Sequence, residues 1–428
     1  MTNYNPFRTT AALDEVLLDV ATLLELSPRD RSIAENRYRR LKVHLERKNS
    51  PLAQYLIDGQ SMIYAQGSVA TSTTIISGTD DDRFDVDAIV EFDVPAHWSN
   101  SYALDLLEEA LQGFPGATKI VRCTRCVQIQ FPFMHMDVTV LDRAERISIL
   151  RAGDIFHSPD EGIAYRVPSN PWGFTSWFRS SVGAHQEVFA ETVRRHRAGI
   201  VRNRLQPLDE GERLIVAKAD QQDLPPMIPS RLDAQEVIAL KLLKRYVNLH
   251  YENLSLRQPP SIYLAKRTGD VGYIPYGLSA QLMELASSTA RILRGHLANG
   301  TRPDEKNPSY KPDSINDRWP TAGAAGQQDM REFADALDHL VERLAACATA
   351  TLAEISQAID ELFGERIGKE QRKVLAERYD RRDNPTTVLS GSRTGSIASP
   401  AIVTSSSAYR EVRPHNFHPF ILDSEDEQ

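Results

Sequence analysis

Three aspartates on two strand-like segments are the residues of this sequence best suited to chemistry. Asp85 and Asp87 lie in RFDVDAIVEF, separated by one valine, so both side chains project from one face of a strand. Asp137 lies in FMHMDVTVLDR, where His135 and Thr139 share its face and apolar residues occupy the other. Carboxylates crowded at the end of a buried strand repel each other and lose hydration, so they need a cation. Oxygen ligands of this kind suit Mg²⁺ or Mn²⁺.

Three such carboxylates can support phosphoryl transfer. If the two strands are neighbours, the carboxylates converge on one site. Two divalent ions roughly 4 Å apart could then hold the attacking and leaving oxygens in line. A D-x-D pair alone is a weak signal, because many strand ends carry one on a solvated edge. The prediction therefore depends on the residues around the pair.

A Gly-Ser pair, Gly67 and Ser68, precedes the aspartates in QGSVATSTTIISGTDDDRFDVD. Glycine permits close backbone approach, and serine offers a hydroxyl and its own N–H. The residues that follow can begin a short helix whose N–H groups face an anion. Gly-Ser pairs are common in turns, so this one gains its meaning from preceding D-x-D. The acidic run Asp80 to Asp82 is interpreted as a solvated loop.

The surrounding segments predict an α+β fold. Apolar residues recur every three or four positions from TTAALDEV to VHLERK, with SPRD as a stop and restart, which predicts two helices or one broken helix. RFDVDAIVEF reads as a strand and YALDLLEEALQGF as an amphipathic helix. CVQIQFPF and MHMDVTVLDR read as two further strands, joined tightly. This order predicts a small mixed sheet with helices on one side.

The second half of the sequence is helical by spacing. AQEVIALKLLKRYVNLHY, GLSAQLMELASSTARILRGHL and DMREFADALDHLVERLAACATATLAEISQAIDELF show helical periods, and little there resembles a strand. Since 428 residues exceed the usual size of a single core, we expect two domains. We place a core with the N-terminal helices at 1–215 and a helical domain that closes over it at 216–383. Residues 384–428 are predicted to be a flexible Ser/Thr-rich tail.

Composition excludes several classes of function. The formal net charge of −8, without a face-wide run of Lys and Arg, argues against a protein that coats extended nucleic acid. Neither a signal segment nor an apolar stretch of bilayer length is evident, so we expect a cytoplasmic protein without a membrane partner. Cys123 and Cys126 have the spacing of half a zinc site or of a redox pair. No second Cys/His pair accompanies them, and we interpret them as buried or strand-borne thiols.

The order Gly-Ser, D-x-D and a lone Asp on a following strand resembles the nucleotidyltransferase superfamily related to DNA polymerase β. The long N-terminal helices and helical second half are similar to its cyclic GMP–AMP synthase and oligoadenylate synthase branch. The likeness is strongest to the bacterial CD-NTases, which make signalling oligonucleotides in anti-phage defence. It covers most of the chain before the tail. It implies a polymerase-β-like core in which Asp85, Asp87 and Asp137 hold two Mg²⁺ or Mn²⁺ ions.

The resemblance also implies residues that hold a nucleoside triphosphate. Lys244 in ALKLLKRYVN and Ser261 in PPSIYLAK match the segments that hold the donor triphosphate, and Lys241 shares the helix face of Lys244. The alternative is that these are solvated helix lysines and a loop serine. The family often continues its Gly-Ser motif with Gly-Thr, whereas this chain has Ser72 and Thr73, and we expect Thr73 to serve at that turn.

Two aromatic segments resemble the family without a predicted catalytic role. In NPSYKPDSINDRWP we expect a structural loop whose Trp319 packs inward. In SNPWGFTSWF we expect Trp172, Trp177 and Phe178 to belong to the core.

The activity implied by the resemblance is the joining of ribonucleoside triphosphates with release of pyrophosphate. The substrates would be ATP, with GTP, UTP or CTP as further candidates, and Asp137 would act as general base. The product would be a cyclic or short linear oligonucleotide that acts through a downstream effector. By analogy, a tail-modifying or activating protein would be a further partner. Three alternatives stay open: an enzyme that extends an RNA 3′ end, a small-molecule nucleotidyltransferase, and a silent nucleotide-sensing module.

Overall fold

The structure is a computed structural model that describes residues 9–56, 61–78, 83–143, 149–183, 187–201 and 233–383. The helices it describes are α1 (Ala11–Leu23), α2 (Pro28–Leu45), α3 (Ala53–Leu56), α4 (Gly67–Ala70), α5 (Asn100–Leu111), α6 (Pro171–Ser181), α7 (Glu187–Val201), α8 (Gln235–Tyr251), α9 (Ser261–Val271), α10 (Leu278–Ala298), α11 (Gly323–Ala346), α12 (Leu352–Phe363) and α13 (Glu365–Asp383). The strands are β1 (Met62–Gln66), β2 (Phe84–Phe92), β3 (Lys119–Arg122), β4 (Val127–Gln130), β5 (Met134–Arg143), β6 (Gly153–His157), β7 (Tyr165–Ser169), β8 (Lys306–Asn307) and β9 (Tyr310–Ser314).

Seven of these strands form one mixed sheet. Its order is β1-β2-β5-β4-β3, and β6 and β7 extend it from the carboxyl end of β5. The strands β2 and β5 run parallel, and the other neighbours pair antiparallel. The central parallel pair therefore places the first halves of the two predicted catalytic strands side by side.

The two faces of the sheet differ in chemistry. On one face, the apolar residues of β2, β4 and β5 are buried in the main core, where α5 packs against β3, β4, β5 and β6. On the other face, Tyr64, Ile89 and Leu141 form a small separate apolar cluster with Trp172 packed against it. Because strand side chains alternate, Asp85 and Asp87 share this second face with Ile89. The carboxylates thus lie at one end of this second face, and the small apolar cluster with Trp172 covers its other end.

The second half of the described chain packs as a helical layer. The long helix α10 lies against α8, α9 and α11, and α12 contacts α8, α11 and α13. The N-terminal helix α1 joins this layer, since it packs against α7, α8, α10 and α13. Ser27 caps α2 through the Asp30 backbone N–H, and Pro28 at the first helical position ends the SPRD break between α1 and α2.

The predicted α+β architecture is confirmed, with two separate N-terminal helices, a mixed sheet and a helical second half. One expectation about the second half was wrong in detail, because β8 and β9 form a two-stranded ribbon there. Trp319 packs inward as expected and is 1% exposed. The boundary between 215 and 216, the Asp80 to Asp82 run and the 384–428 tail lie outside the described residues.

Candidate active site

The register of β2 and β5 brings the three aspartates to one end of the sheet. Asp87 is the partner of Asp137 across the strand pair, and Asp85 is the partner of His135. The His135 imidazole lies beside Asp85, with Nδ1 3.8 Å from Oδ1. Asp137 Oδ1 accepts a 3.0 Å hydrogen bond from the Gln128 amide on β4. Two carboxylates thus face each other on adjacent strands, with the third two residues away.

The electrostatics of this cluster favour binding of a cation. Burial and the charges of Asp137 and Asp85 raise the pKa of Asp87 to about 8. Burial and the charge of Asp85 likewise raise the pKa of Asp137 to about 7, although its hydrogen bond from Gln128 opposes the shift. A divalent cation would remove the repulsion that holds these pKa values high.

Gly67 lies directly against the carboxylate pair. It begins α4 with φ +61°, and an added Cβ would overlap the Asp87 carboxylate. Only glycine combines this left-handed backbone with such a close approach. The Gly-Ser pair and D-x-D are therefore one packed unit, as their spacing predicted.

Ser68 and Thr73 occupy different environments in the turn after Gly67. The Ser68 hydroxyl accepts a 3.2 Å hydrogen bond from Thr74. Thr73 is 2% exposed, and its hydroxyl lies 2.9 Å from that of Thr71. The Thr73 side chain is therefore held inside the turn. Ser72 adopts φ 58°, so the turn keeps a left-handed residue where the family often has glycine.

Lys244 reaches the turn from α8. Its Nζ donates to the Thr73 carbonyl oxygen at 3.0 Å, and its side chain is buried. Burial lowers the pKa of Lys244 to about 8, while Asp87 and Asp85 act in the opposite direction. At neutral pH the ammonium thus remains largely charged beside Asp85 and Asp87.

Ser261 is the first residue of α9, and it is exposed. Pro260 precedes it as the N-cap without a side-chain hydrogen bond to the first turn. Because α9 also contacts α4, the start of this helix lies on the side of the molecule that carries the Gly-Ser turn. Open N–H groups at a helix start suit an anion.

Lys241 is placed differently from the prediction. Its Nζ lies 2.7 Å from Glu25 Oε1 on the segment after α1, and its side chain is buried. Arg197 of α7 binds the same carboxylate and also Asp233. Since Glu25 and its neighbours neutralise Lys241 inside the protein, we remove it from the nucleotide-binding candidates.

Sequence reasoning did not select three residues that hold this site. Gln128 contacts Asp137, and Gln130 donates a 2.8 Å hydrogen bond to Gln128 Oε1. Arg179 of α6 donates twice to the Ala70 carbonyl oxygen at the end of α4, at 3.0 and 2.7 Å. The alternation of polar and apolar residues in CVQIQF predicts that both glutamines lie on one face of the strand. Only the strand order shows that Gln128 contacts Asp137.

The cysteines and the aromatic residues have structural settings. Cys123 and Cys126 face each other at the end of the β3–β4 hairpin, where the Cys123 N–H donates to the Cys126 carbonyl oxygen at 2.8 Å. Both are half-buried thiols, and they lie in the turn between the two strands rather than on a strand as predicted. Phe178 is fully buried, and Trp172 and Trp177 are half-buried and pack against the core.

The donor set fits a hard divalent cation, although the side chains are not gathered for one. Within the described ranges, no three His, Cys, Asp or Glu side chains stand in positions that would hold a metal ion. Asp87 rests against Gly67, and Asp137 is bonded to Gln128. Three carboxylates with mutual repulsion, on one face beside a glycine cradle, supply the oxygen ligands that Mg²⁺ or Mn²⁺ prefers. Ion binding would require these side chains to rotate.

Similarity to a known protein runs along most of the chain. No protein-family model matches the sequence. The chain is 29% identical over 375 residues to the cyclic dinucleotide synthase CdnG of Bradyrhizobium diazoefficiens, covering 86% of this chain and 84% of that protein. A structure of that CdnG in complex with GTP superposes with a TM-score of 0.70 at 28% identity, over 85% of this chain and 99% of that one. The Vibrio cholerae cyclic AMP–GMP synthase DncV, bound to nonhydrolysable GTP, gives a TM-score of 0.46 at 14% identity, over 84% and 87% of the two chains.

The mixed sheet, the Gly-Ser turn and the aspartates of β2 and β5 define a nucleotidyltransferase of the polymerase-β type. Within that class, the chain is similar to the bacterial CD-NTase CdnG along most of both chains. The helices described in the structure include none long and apolar enough to cross a membrane.

Proposed function

We propose that the protein joins ribonucleoside triphosphates into a cyclic dinucleotide or another short oligonucleotide, with release of pyrophosphate. The observation that carries this proposal is the register of Asp87 with Asp137. Gly67 packs against Asp87, and the Lys244 ammonium interacts electrostatically with Asp87 and Asp85. GTP is our first candidate substrate because the related CdnG has a structure with GTP. ATP, UTP and CTP are the other candidates.

The donor triphosphate is proposed to bind over the Gly-Ser turn. The Gly67 and Ser68 backbone and the Ser68 hydroxyl can donate to phosphate oxygens, and the missing Cβ of Gly67 lets this turn pack directly against the Asp87 carboxylate. Lys244 supplies a positive charge from the helical side. The open start of α9 at Ser261 offers further N–H donors. Thr73 is proposed to act through its carbonyl oxygen, which holds Lys244.

Asp85, Asp87 and Asp137 are the proposed ligands of divalent Mg²⁺ or Mn²⁺, with two ions per site. When bound, these ions neutralise phosphate charge and make an acceptor hydroxyl more acidic. Asp137 accepts the proton of the acceptor ribose hydroxyl as general base. The oxygen then attacks the α-phosphorus, and pyrophosphate leaves. A second round on the linear product would close a ring.

The cellular role is proposed from the family. The product would carry a signal to a downstream effector in anti-phage defence. The tail at 384–428 is a candidate for attachment to a modifying or activating protein. We place this signalling in the cytoplasm.

The direct test is product analysis with matched variants. The protein is incubated with Mg²⁺ and all four ribonucleoside triphosphates, treated with phosphatase, and analysed by mass spectrometry. A phosphatase-resistant oligonucleotide is expected from the wild type and is expected to be absent from Asp87→Asn and Asp137→Asn. Asp335→Asn, an exposed aspartate on α11, is the matched control and should retain activity.

Two outcomes would contradict the proposal. Activity found only with added RNA would favour an enzyme that extends 3′ ends. Product formation that is unchanged in both aspartate variants would remove the metal assignment.

A further inference from the structure

Two glutamines on β4 form a chain of hydrogen bonds that ends on a catalytic carboxylate. Gln128 is the register partner of Asp137, and Gln130 is the register partner of His135. Gln128 Nε2 donates to Asp137 Oδ1 at 3.0 Å, and Gln130 Nε2 donates to Gln128 Oε1 at 2.8 Å. We call these three side chains the glutamine relay. It runs along β4 from Gln130 to Gln128 and then crosses to Asp137 on the neighbouring strand β5.

The strand that carries the relay is firmly anchored. Val127 and Ile129 of β4 are fully buried in the main core, and Gln128 and Gln130 alternate with them on the opposite face. Both glutamines are half-buried, so neither is held by packing alone. Their hydrogen bonds therefore determine the direction of the two amides.

The relay fixes which end of the Gln128 amide faces Asp137. An amide has a donor end and an acceptor end, and the reversed orientation would place the Gln128 carbonyl oxygen against a carboxylate oxygen. Gln130 opposes this reversal, because its N–H₂ group donates to the Gln128 carbonyl oxygen. With Oδ1 of Asp137 occupied by the Gln128 donor, Oδ2 remains for the reaction.

We infer that Gln128 is a positioning residue for Asp137, and that Gln130 acts through Gln128 by fixing its amide. This inference rests on the proposed nucleotidyltransfer and deepens it. Partners of metal-binding carboxylates set their orientation, and their loss typically costs about 10- to 100-fold in metal affinity or activity. The relay should therefore influence metal binding and the chemical step, while the donor triphosphate is held elsewhere, by Lys244 and the Gly-Ser turn.

The test uses substitutions that preserve shape and remove the amide. Gln128→Met and Gln130→Met keep nearly the same length without donors, and the double variant combines them. Mn²⁺ binding is measured by electron paramagnetic resonance of free Mn²⁺ with a nonhydrolysable GTP analogue present. Separately, kcat and the KM for nucleotide are measured with Mg²⁺. Gln112→Met, at the exposed end of α5, is the control.

The expected result is a specific pattern. Gln128→Met should weaken Mn²⁺ binding and lower kcat by about 10- to 100-fold, with the nucleotide KM within about twofold of wild type. Gln130→Met should give a smaller loss in the same two quantities. The double variant should match Gln128→Met alone, because Gln130 acts only through Gln128.

Other outcomes overturn the relay and can be told apart from failure of the proposed function. Mn²⁺ binding and kcat close to wild type in Gln128→Met would show that Asp137 needs no such support. Losses that simply multiply in the double variant would show that Gln130 acts independently. A wild-type protein that binds Mn²⁺ but forms no product would contradict the proposed function, while the Mn²⁺ measurements would still decide the relay. A wild type that binds no Mn²⁺ would overturn both.

Discussion

Asp87 of β2 and Asp137 of β5 are direct partners across the central parallel strand pair, and Gly67 packs on the first of them. Both carboxyl groups have raised pKa values, chiefly through burial and then through repulsion within the aspartate cluster. A protein without bound metal therefore stores an unfavourable charge arrangement at this end of the sheet. The aspartates proposed to serve catalysis are therefore expected to lower the stability of the metal-free protein.

Asp87→Asn should make the metal-free protein more stable, and increasingly so as the pH rises. The folded pKa of Asp87 is about 8 against an ordinary 3.8, so the folded state binds this proton more tightly than the unfolded state. Stability is therefore lost as the pH rises from about 4 to about 8, and asparagine removes that loss. We expect a melting temperature a few degrees above wild type at pH 8 and a smaller difference at pH 5.

Differential scanning fluorimetry at both pH values, with and without Mg²⁺, checks this prediction. Mg²⁺ should raise the melting temperature of the wild type and have little effect on Asp87→Asn. The exposed substitution Asp335→Asn is the control. A variant less stable than wild type at pH 8 without metal would contradict the account.

The buried cluster of Glu25, Arg197, Lys241 and Asp233 should control stability in acid. Burial alone would raise the pKa of Glu25, but Lys241 and Arg197 outweigh it and hold the pKa at about 2 against an ordinary 4.5. The lowered pKa means that this stabilisation is complete above about pH 4.5 and is lost as the pH falls toward 2. Its size corresponds to roughly 3 kcal/mol.

Chemical denaturation between pH 2 and 7 measures that effect. Glu25→Gln should lower the free energy of unfolding at pH 7 by about 3 kcal/mol, since it also leaves buried cations without a counter-charge. It should also remove much of the acid dependence between pH 4.5 and 2. An acid dependence as steep as that of the wild type would exclude Glu25 as its source.

Lys244 and Lys241, three residues apart on α8, should separate substrate binding from stability. Lys244 lies beside Asp85 and Asp87, so Lys244→Met should raise the nucleotide KM by about 10- to 100-fold, the value of a charge-assisted hydrogen bond. Lys241 pairs with Glu25, so Lys241→Met should lower the free energy of unfolding by about 3 to 5 kcal/mol with little effect on KM. Steady-state kinetics and urea denaturation of both variants provide the measurements. A raised KM in Lys241→Met together with an unchanged KM in Lys244→Met would contradict the prediction.

The two lysines also show where prediction from sequence succeeds and fails. The alternation of side chains along a strand predicted that Asp85 and Asp87 share one face of β2, and it predicted the face of β5 on which Asp137 lies. The pairing of the two strands then brings these residues together. Helical spacing placed Lys241 and Lys244 on one face of the helix. It did not show that Lys241 forms an ion pair with Glu25, which is more than 200 residues away in sequence. Long-range pairing of this kind leaves no local pattern. The same holds for Gln128, whose target depends on the strand order β5-β4.

Ser72 tests how far the turn tolerates departure from glycine. Its φ of 58° lies in the left-handed region, which costs a non-glycine residue about 1 kcal/mol. Ser72→Gly should therefore retain activity and keep the free energy of unfolding within about 1 kcal/mol of wild type, because relief of strain offsets the greater freedom of the unfolded chain. Ser72→Val should destabilise by more, since a branched Cβ is poorly accommodated there. Urea denaturation checks both, and equal stability of the two variants would contradict the left-handed turn.

Gly67→Ala should abolish activity without loss of the fold. The new Cβ would overlap the Asp87 carboxylate, and φ of +61° disfavours alanine, so the Asp87 side chain must be displaced. A displacement of about 1 Å at a reacting group costs on the order of 100-fold in rate. Product formation should thus fall at least 100-fold, while circular dichroism remains close to wild type. Gly113→Ala, which also replaces a left-handed glycine but meets no neighbouring atom within 4 Å, is the matched control and should retain activity. If both alanine variants lose activity equally, backbone strain rather than contact with Asp87 accounts for the effect.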